Sequence, residues 1–448
     1  MFKTKHNYIE YTLVFFIGTV VSFIILHLLT FRNFYGDPIN NYGFSYAIVN
    51  GQIPYKDFNI ITTPLYSFVM SLGLLLWNNS LMFLIEHSIL IGIFFLIIYK
   101  MYGIKSFAFF PIIMITRGLM INPTYNFFLL LLLILLVFLE TEHSDKDYMI
   151  GFVLALSVLT KQSIGIFFII PTILYYYNDK NKLKKRIIGF IIPMIIFGSY
   201  LLITNSYREF FDLCFMGLLD FESKNGMYFN YEFFLSLLLL TMDFLYLNKY
   251  KNISNLYYIL SFFFLVPIFD SHHLSYFVFC SILIIISSIT KYDRLICIIS
   301  IISFIIISIC SLNSIYNNDK IVLNKKIKKF EYLYDYKTIN KEIEKTFDYF
   351  DKVDNKIILS RYKMYYDISR NNKIDYYDIL NQGNFGLNGK KKIIDNIDNR
   401  NNIYIIIHEN DYENKYKDNQ YDKELIKYID NNYELVDKKH HHFIYYKK

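Results

Sequence analysis

The stretch Tyr11–Phe31 reads YTLVFFIGTVVSFIILHLLTF and contains no Asp, Glu, Lys or Arg. A helix needs about 20 such residues to cross the hydrocarbon core of a bilayer. The chain of 448 residues is 54% hydrophobic, above the range of about 45–50% for soluble domains, and the excess lies before about residue 315. This composition excludes a soluble enzyme, a secreted disulfide scaffold and a disordered chain. Apolar runs predict eleven transmembrane helices, at 11–31, 81–99, 104–119, 123–139, 148–161, 163–177, 187–204, 231–247, 253–269, 273–289 and 294–315.

The charges of the loops predict the orientation of these helices. The most basic loop, 178–186, carries five Lys and Arg residues and is expected in the cytoplasm. Crossings counted backwards from this loop and forwards from the basic N-terminus give the same orientation only if the apolar stretch 64–77 does not cross the membrane. We therefore predict that 64–77 is a helix that lies on the outer surface. The predicted external pieces are 32–80, which contains juxtamembrane helices, the turn near 117–122, the turn near Lys161, 205–230, the turn 270–272 and everything after about 316.

The tail from residue 316 differs in composition, because it is rich in Lys, Asp, Asn and Tyr. Apolar runs at Ile357–Leu359, Ile403–Ile407, Tyr433–Val436 and Phe443–Tyr446 alternate with helical patterns, which is typical of a small α/β domain. The predicted fold class is therefore an α-helical polytopic membrane protein with about eleven transmembrane helices and a C-terminal extracytoplasmic α/β domain. The predicted domains are 1–315 and 316–448, in a multi-pass protein of the cell membrane.

Asp37 follows the first apolar run directly, in the sequence Gly36-Asp37-Pro38. A carboxylate at the boundary of membrane and water is placed to take a proton from an incoming hydroxyl, as a general base does. The same three residues are also a normal turn for ending a helix. Both interpretations remain open from the residues alone.

Lys161 lies in Leu159-Thr160-Lys161-Gln162 and divides an apolar stretch into two halves. A lysine at membrane depth costs about 2.5–3.5 kcal/mol unless it reaches water or an anion. A phosphate is the obvious anion for such a point charge. The alternative is a lysine in a hairpin turn that extends its ammonium group to the interface.

His272 and His273 lie in the short polar sequence Asp270-Ser271-His272-His273-Leu274-Ser275-Tyr276. Paired histidines bind a metal or donate hydrogen bonds to a phosphate, and the alternative is a solvated turn. The topology places these histidines, Lys161 and Asp37 on the same side of the membrane. We therefore expect them to line one external pocket.

The first loop resembles that of the GT-C superfamily of polytopic membrane glycosyltransferases, which includes protein O-mannosyltransferases and the aminoarabinose transferases of lipid A. The resemblance rests on the acid Asp37, the motif G-x-x-P-Y-x-D-F at Gly51–Phe58, and Pro64-Leu65 before the surface helix. It implies transfer of a sugar from a polyprenyl-phosphate carrier to an acceptor outside the membrane, with the first-loop acid as the catalytic residue. It also implies that Lys161 faces the lipid phosphate and that a His-Tyr pair approaches the donor. Here the sequence is His-His-x-x-Tyr, so which histidine corresponds stays open.

Further candidates have lower rank. Arg117 is a second phosphate contact or an interfacial anchor. Relatives often carry an acid or a lysine before Pro64, and this chain has Thr62-Thr63, which argues against a metal ligand in the first loop; whether a divalent metal assists the reaction is left open. The glycines at 383–389 favour a simple turn, and alternation along a strand argues against a metal site at His440–His442. Residues that we predict to line the cavity are Tyr42, Tyr55, Asp57, Glu86, His87 and Tyr276.

The sequence thus predicts an inverting membrane glycosyltransferase with Asp37 as its general base. The predicted partners are a polyprenyl-phosphate sugar donor, an extracytoplasmic glycan, lipid or protein acceptor, and membrane lipid. Nucleic acid is not expected, because the net charge of +7 is divided between loops and tail. The alternative is a transporter or flippase of polyprenyl-linked glycans, which predicts polar residues in mid-bilayer and internal repeats. A third hypothesis is a structural or polymerase-type wall protein that holds a glycan through its C-terminal tail.

Overall fold

The computed structural model describes residues 8–33, 37–108, 119–217, 231–249, 252–266, 271–288, 321–322, 335–360, 363–376, 385–408 and 423–447. The chain forms two compact units. The first, which we call the helical unit, comprises Met1–Asn33, Leu81–Phe197 and Met227–Asp319. The second, which we call the composite unit, comprises Phe34–Ser80, Gly198–Gly226 and Lys320–Lys448. The composite unit thus collects three segments that are far apart in sequence.

The described part of the chain is mostly helical. Its helices in chain order are α1 (Tyr8–Asn33), α2 (Asp37–Val49), α3 (Leu65–Leu76), α4 (Ser80–Tyr102), α5 (Tyr125–Glu142), α6 (Asp147–Thr160), α7 (Gln162–Gly165), α8 (Ile169–Tyr176), α9 (Lys180–Ile203), α10 (Tyr207–Phe211), α11 (Tyr231–Lys249), α12 (Ile253–Leu260), α13 (Ser271–Ser288), α14 (Lys337–Lys352), α15 (Lys363–Arg370), α16 (Gly389–Asp398) and α17 (Lys423–Asn432). The strands are β1 (Ile321–Val322), β2 (Asp335–Tyr336), β3 (Lys356–Leu359), β4 (Ile403–His408), β5 (Glu434–Lys439) and β6 (His442–Lys447).

Four described helices are long and apolar enough to cross a membrane, at Tyr8–Leu26, Ser80–Phe107, Tyr125–Glu142 and Lys180–Ile203. Six shorter apolar helices accompany them in the described part of the chain. The polytopic helical character is therefore confirmed, whereas the number of eleven crossings is not. The predicted span 294–315 and most of 104–119 lie outside the described residues.

Helix α5 forms the centre of the helical unit. It is buried on nearly every face, which fits its unbroken apolar sequence, because a helix that is apolar all round belongs in a core. The Phe94 ring of α4 lies between Phe127 of α5 and Phe279 of α13, with centroid distances of 5.3 and 5.4 Å. Helices α4 and α13 are thereby fixed against the N-terminal turn of α5.

A buried ion network lies at the other end of α5. The Arg186 guanidinium donates to Glu140 Oε1 at 2.5 Å and to Asp147 Oδ1 at 2.9 Å, and all three side chains are almost fully buried. Its planar fork therefore joins α9 to the C-terminus of α5 and the start of α6. The sequence identified Arg186 only as part of a basic loop.

The composite unit contains a four-stranded sheet with the order β3-β4-β6-β5. Strands β3 and β4 are parallel, and the other two pairs are antiparallel. Alternate residues of β4 face opposite sides, so that Ile405 packs under α16 and α17 while Ile406 packs with Phe347 and Phe350 of α14. The strands and helices predicted for the tail are confirmed in this sheet and in α14, α16 and α17.

The first loop is attached to the tail within the composite unit. The Gln52 amide donates from Nε2 to Ile374 O at 2.7 Å and accepts at Oε1 from Ile374 N at 3.0 Å. Helices α2 and α15 also pack closely, because a Cβ at Gly43 would collide with the Met364 side chain. The surface helix predicted at 64–77 corresponds to α3, and its position on a membrane stays a prediction.

Candidate functional site

The helical unit brings several predicted site residues to the N-terminus of α5. Helix α6 ends at Thr160, Lys161 has an extended backbone (φ −152°, ψ 101°), and α7 starts at Gln162. The predicted break in the apolar stretch therefore falls at Lys161. Its half-buried side chain reaches α5, where Nζ donates to Asn126 Oδ1 at 3.0 Å and lies 5.2 Å from the Tyr125 ring centroid.

Asn126 is a residue that the sequence analysis did not select. Its side chain is fully buried, Oδ1 accepts from Lys161, and Nδ2 has no hydrogen-bond partner among the described residues. A buried amide donor that lacks a partner costs about 1–3 kcal/mol, so such groups need an explanation. The signal was present in the sequence, because Asn126 is a polar side chain at the start of the apolar run of α5.

His272 reaches the same helix end through Tyr276. The two lie one turn apart on α13, with His272 Nε2 3.3 Å from the Tyr276 hydroxyl. That hydroxyl lies 3.4 Å from Oγ1 of Thr124, the residue before α5. His273 is also half-buried, and its ring centroid is 5.3 Å from that of His272. His272 thus contacts Tyr276, and which histidine corresponds to the His-Tyr pair of the resembling family stays a prediction.

The geometry of α5 gives this region a positive character. The first N–H groups of a helix lack partners within the helix, and the helix dipole adds a partial positive charge there. Thr124 makes no side-chain cap, while the Lys161 ammonium contacts the first two residues of α5. An anion at this helix end would therefore meet backbone donors, a cation and the Asn126 amide.

His87 and Glu86 occupy the neighbouring part of α4. His87 is fully buried, and its Nε2 lies 3.0 Å from Ile121 O in the turn before α5. Its ring also packs edge-on against Phe127, with a centroid distance of 5.0 Å. These contacts of His87 hold the turn before α5 in position. Glu86, the preceding residue of α4, is half-buried. Arg117 lies outside the described residues.

Asp37 lies in the composite unit, where it is the first residue of α2. Its side chain is exposed, although most of α2 is buried, and its carbonyl accepts from Asn41 Nδ2 at 2.7 Å. Asp37 thus begins a helix rather than only ending the previous one. An exposed carboxylate at the end of a fixed helix is suited to a base that acts on a bound ligand.

Other first-loop candidates shape the loop itself. Asp57 Oδ2 accepts from Ile53 N at 2.7 Å, and the Tyr55 hydroxyl donates to Thr62 O at 2.9 Å. Tyr55 has a positive φ of 72°. Burial raises the pKa of Tyr42 and of Tyr55 well above the ordinary tyrosine value, so both hydroxyls stay protonated. Tyr42 is fully buried within the composite unit.

The structure therefore brings together Lys161, His272 and Tyr276, with Thr124 and Asn126 between them. Asp37 belongs to the other unit, and the prediction that all of these residues line one pocket stays a prediction. Among the described residues, no three His, Cys, Asp or Glu side chains come together as a metal site would require.

Comparisons with known proteins yield two matches, both at the level of structure. No protein-family model matches the sequence, and no curated protein matches it. The crystal structure of ArnT from Cupriavidus metallidurans bound to undecaprenyl phosphate superimposes with a TM-score of 0.57 at 10% identity, covering 98% of each chain. The apo structure of the same protein gives 0.54 at 11% identity, again covering 98% of each chain.

ArnT is an aminoarabinose transferase of the GT-C family, one of the two groups that the first loop resembles. The similarity extends over both units, because 98% of this chain is covered. At 10–11% identity it establishes the fold and not the reaction. The chain therefore has the fold of the GT-C membrane glycosyltransferase ArnT over nearly its whole length.

Proposed function

We propose that this protein is a membrane glycosyltransferase that moves a sugar from a polyprenyl-phosphate carrier to an extracytoplasmic glycan, lipid or protein. The proposal rests first on the cluster at the N-terminus of α5. Lys161 supplies a positive charge there, and the buried Asn126 Nδ2 supplies a hydrogen-bond donor that the described residues leave without a partner. A phosphate at the end of an apolar tail satisfies both groups.

The ArnT fold supports the same proposal from a different direction. ArnT was crystallised with undecaprenyl phosphate, a polyprenyl phosphate that combines an apolar tail with an anionic head. In our proposal the donor tail lies among the apolar helices, and its phosphate lies at the start of α5. His272 then assists through the hydrogen-bonded Tyr276 hydroxyl.

The proposed reaction is a single displacement at C1 of the sugar. The acceptor oxygen forms the new bond to C1, while the bond from C1 to the phosphate oxygen breaks. Asp37 takes the proton of the acceptor hydroxyl, and the polyprenyl phosphate leaves with the electron pair of the broken bond. Lys161 and the α5 N-terminus stabilise the negative charge that grows on the leaving phosphate. The configuration at C1 is inverted.

We assign the composite unit to the extracytoplasmic side. Support comes from the loop charges, which predict 32–80, 205–230 and the tail outside, and from the gathering of these same stretches in one compact unit. The tail is folded onto the first loop through the hydrogen bonds of Gln52 with Ile374. In this assignment Asp37 and the sheet face the acceptor.

The direct test is transfer of labelled sugar by the purified full-length chain in nanodiscs supplied with polyprenyl-phosphate sugars. Asp37→Asn should reduce the rate by about 10²–10⁴-fold, the usual contribution of a general base. Lys161→Gln should instead weaken binding of undecaprenyl phosphate, measured by native mass spectrometry. Full transfer activity of the Asp37→Asn variant would refute the assignment of the base.

Lys182 offers a matched control for Lys161. Its ammonium lies 5.2 Å from the Tyr176 ring centroid, the same distance that separates Lys161 from Tyr125, but it belongs to the predicted cytoplasmic loop. Lys182→Gln should leave lipid binding unchanged. Equal losses in the two lysine variants would show that general charge, and not the site at α5, attracts the lipid.

A flippase would move the same lipid without breaking a bond. The nanodisc experiment separates the two functions, because a transferase forms a glycosylated acceptor and free polyprenyl phosphate, whereas a flippase returns intact donor in the opposite leaflet. In the flippase case Asp37→Asn would have no effect on the chemical products.

A further inference from the structure

The composite unit contains a cavity of about 220 Å³ that none of the roles above uses. Its walls come from three separate parts of the chain: the first loop, the segment that follows α9, and the C-terminal α/β domain. This space is several times larger than one water needs. It is therefore suited to a small ligand or to one unit of a larger one.

Aromatic rings form one part of the wall. Tyr376 is 40% exposed, and its orientation is fixed because its hydroxyl donates to Lys56 O at 2.8 Å. Tyr55 also lines the space and is almost fully buried, held by its hydrogen bond to Thr62 O and by an edge-on contact with Phe210 at a centroid distance of 5.2 Å. Fixed aromatic faces of this kind pack against apolar C–H surfaces.

Polar groups form another part of the wall. Glu209 of α10 is exposed, and it makes no salt bridge within the described residues. The half-buried amides of Asn59 and Asn396 also line the space. A carboxylate accepts hydrogen bonds and an amide both donates and accepts, so together they match a ligand with several hydroxyl groups.

An ion pair holds the wall in place. Asp212 Oδ1 accepts from Leu387 N at 3.0 Å, and Oδ2 pairs with the Lys392 ammonium. Gly386, with a positive φ of 74°, allows this approach, because a Cβ there would collide with the Asp212 carboxylate. Lys392 and Asp212 neutralise each other, so the lining keeps one net negative charge, that of Glu209. This charge disfavours phosphorylated and other anionic ligands.

We propose that this cavity binds one uncharged sugar ring of the glycan acceptor. A sugar ring has apolar C–H faces, one of which can contact the exposed ring of Tyr376, and a rim of hydroxyls, which Glu209 and the two amides can bind. The term acceptor rests on the proposed transferase function, whereas the sugar site itself does not. The site would hold the acceptor outside the reaction centre and favour neutral glycans over acidic ones.

The test is saturation-transfer NMR on the full-length chain in nanodiscs with neutral oligosaccharides of glucose, mannose and N-acetylglucosamine, and with uronic acid and phosphorylated oligosaccharides. Neutral sugars should bind and anionic sugars should not. Glu209→Gln should weaken binding about tenfold or more, as for a hydrogen bond to a charged group. Tyr376→Ala should weaken it about threefold to tenfold through lost ring contact, and Tyr376→Phe less.

Glu434 provides the matched control, because it is an exposed carboxylate on β5 that does not line the cavity. Glu434→Gln should bind sugars as the wild type does. Absence of neutral sugar binding, preference for anionic sugars, or unchanged binding in the Glu209 and Tyr376 variants would each overturn the proposal. Undecaprenyl phosphate binding in the same samples tests the transferase function separately, since these variants should retain it.

Discussion

Two buried amide side chains, one in each unit, differ in how their hydrogen bonds are used. Gln52 in the composite unit uses both ends of its amide on the backbone of Ile374. Asn126 in the helical unit uses Oδ1 on Lys161, and its Nδ2 has no partner among the described residues. Both side chains are at least nine-tenths buried. The Gln52 amide has partners for both its donor and its acceptor and stabilises the fold. The Asn126 amide retains a hydrogen-bond donor that no described residue uses, at the positive end of α5.

The same distinction applies to the charged groups. Arg186 is saturated by Glu140 and Asp147, and its role is to join helices. A protein tolerates an unsatisfied buried donor only where something offsets its cost, and a ligand is one such compensation. The difference predicts that changes at saturated groups reduce stability, while changes at Asn126 reduce ligand binding.

The largest effect is expected at Arg186. Arg186→Met removes the cation and leaves Glu140 and Asp147 buried without it, which typically costs about 3–5 kcal/mol. Thermal unfolding in detergent should show a large fall in the transition temperature, with lipid binding per folded molecule retained. Arg208→Met is the control, because Arg208 is exposed, and it should change the transition temperature little. An equally small change in the Arg186→Met variant would contradict the structural role of Arg186.

Gln52→Leu should have an effect of comparable size. It leaves the N–H and C=O groups of the buried Ile374 without partners, at about 1–3 kcal/mol each. Gln52→Glu keeps the acceptor and loses the donor, so an intermediate loss of stability is expected. Unfolding of the composite unit followed by hydrogen exchange would measure both, and equal stability of all three proteins would exclude a clamp at Gln52.

Much of this arrangement was predictable because hydropathy and charge act locally. The apolar runs predicted the helices, the break at Lys161 and the strands of the tail. The Gln52–Ile374 and Arg186–Glu140 contacts join residues 322 and 46 positions apart, so no local pattern reports them. The cavity at Tyr376 likewise depends on how three segments pack.

Asn126→Leu should affect stability less than Gln52→Leu does, because it removes one bond to Lys161 and also one unsatisfied donor. Binding of undecaprenyl phosphate should fall about tenfold, as for a lost hydrogen bond to a charged group. Asn126→Asp should lower binding further, because its carboxylate repels the phosphate. Native mass spectrometry measures the affinities, and wild-type affinity in both variants would show that the Nδ2 group serves no ligand.

The smallest effect concerns a saturated carboxylate on the surface. Desolvation acts to raise the pKa of Asp398, but hydrogen bonds from Tyr428 and Tyr433 and the charge of Lys447 outweigh it and hold the pKa below the ordinary value. The stabilisation is therefore present above the unfolded-state pKa and is lost as the pH falls through the lower folded-state pKa. Asp398→Asn should remove this acid-dependent part of the unfolding profile below about pH 4. The same fall of stability below about pH 4 in the Asp398→Asn variant and in the wild type would contradict this role of Asp398.

The central claim is that the α5 N-terminus binds the phosphate of a polyprenyl carrier. A cryo-electron microscopy map of the full-length chain with undecaprenyl phosphate in nanodiscs tests it most directly. We predict phosphate density within hydrogen-bond distance of Lys161 Nζ and Asn126 Nδ2. Phosphate density at a different place, with no ligand density near Lys161 Nζ and Asn126 Nδ2, would contradict the account.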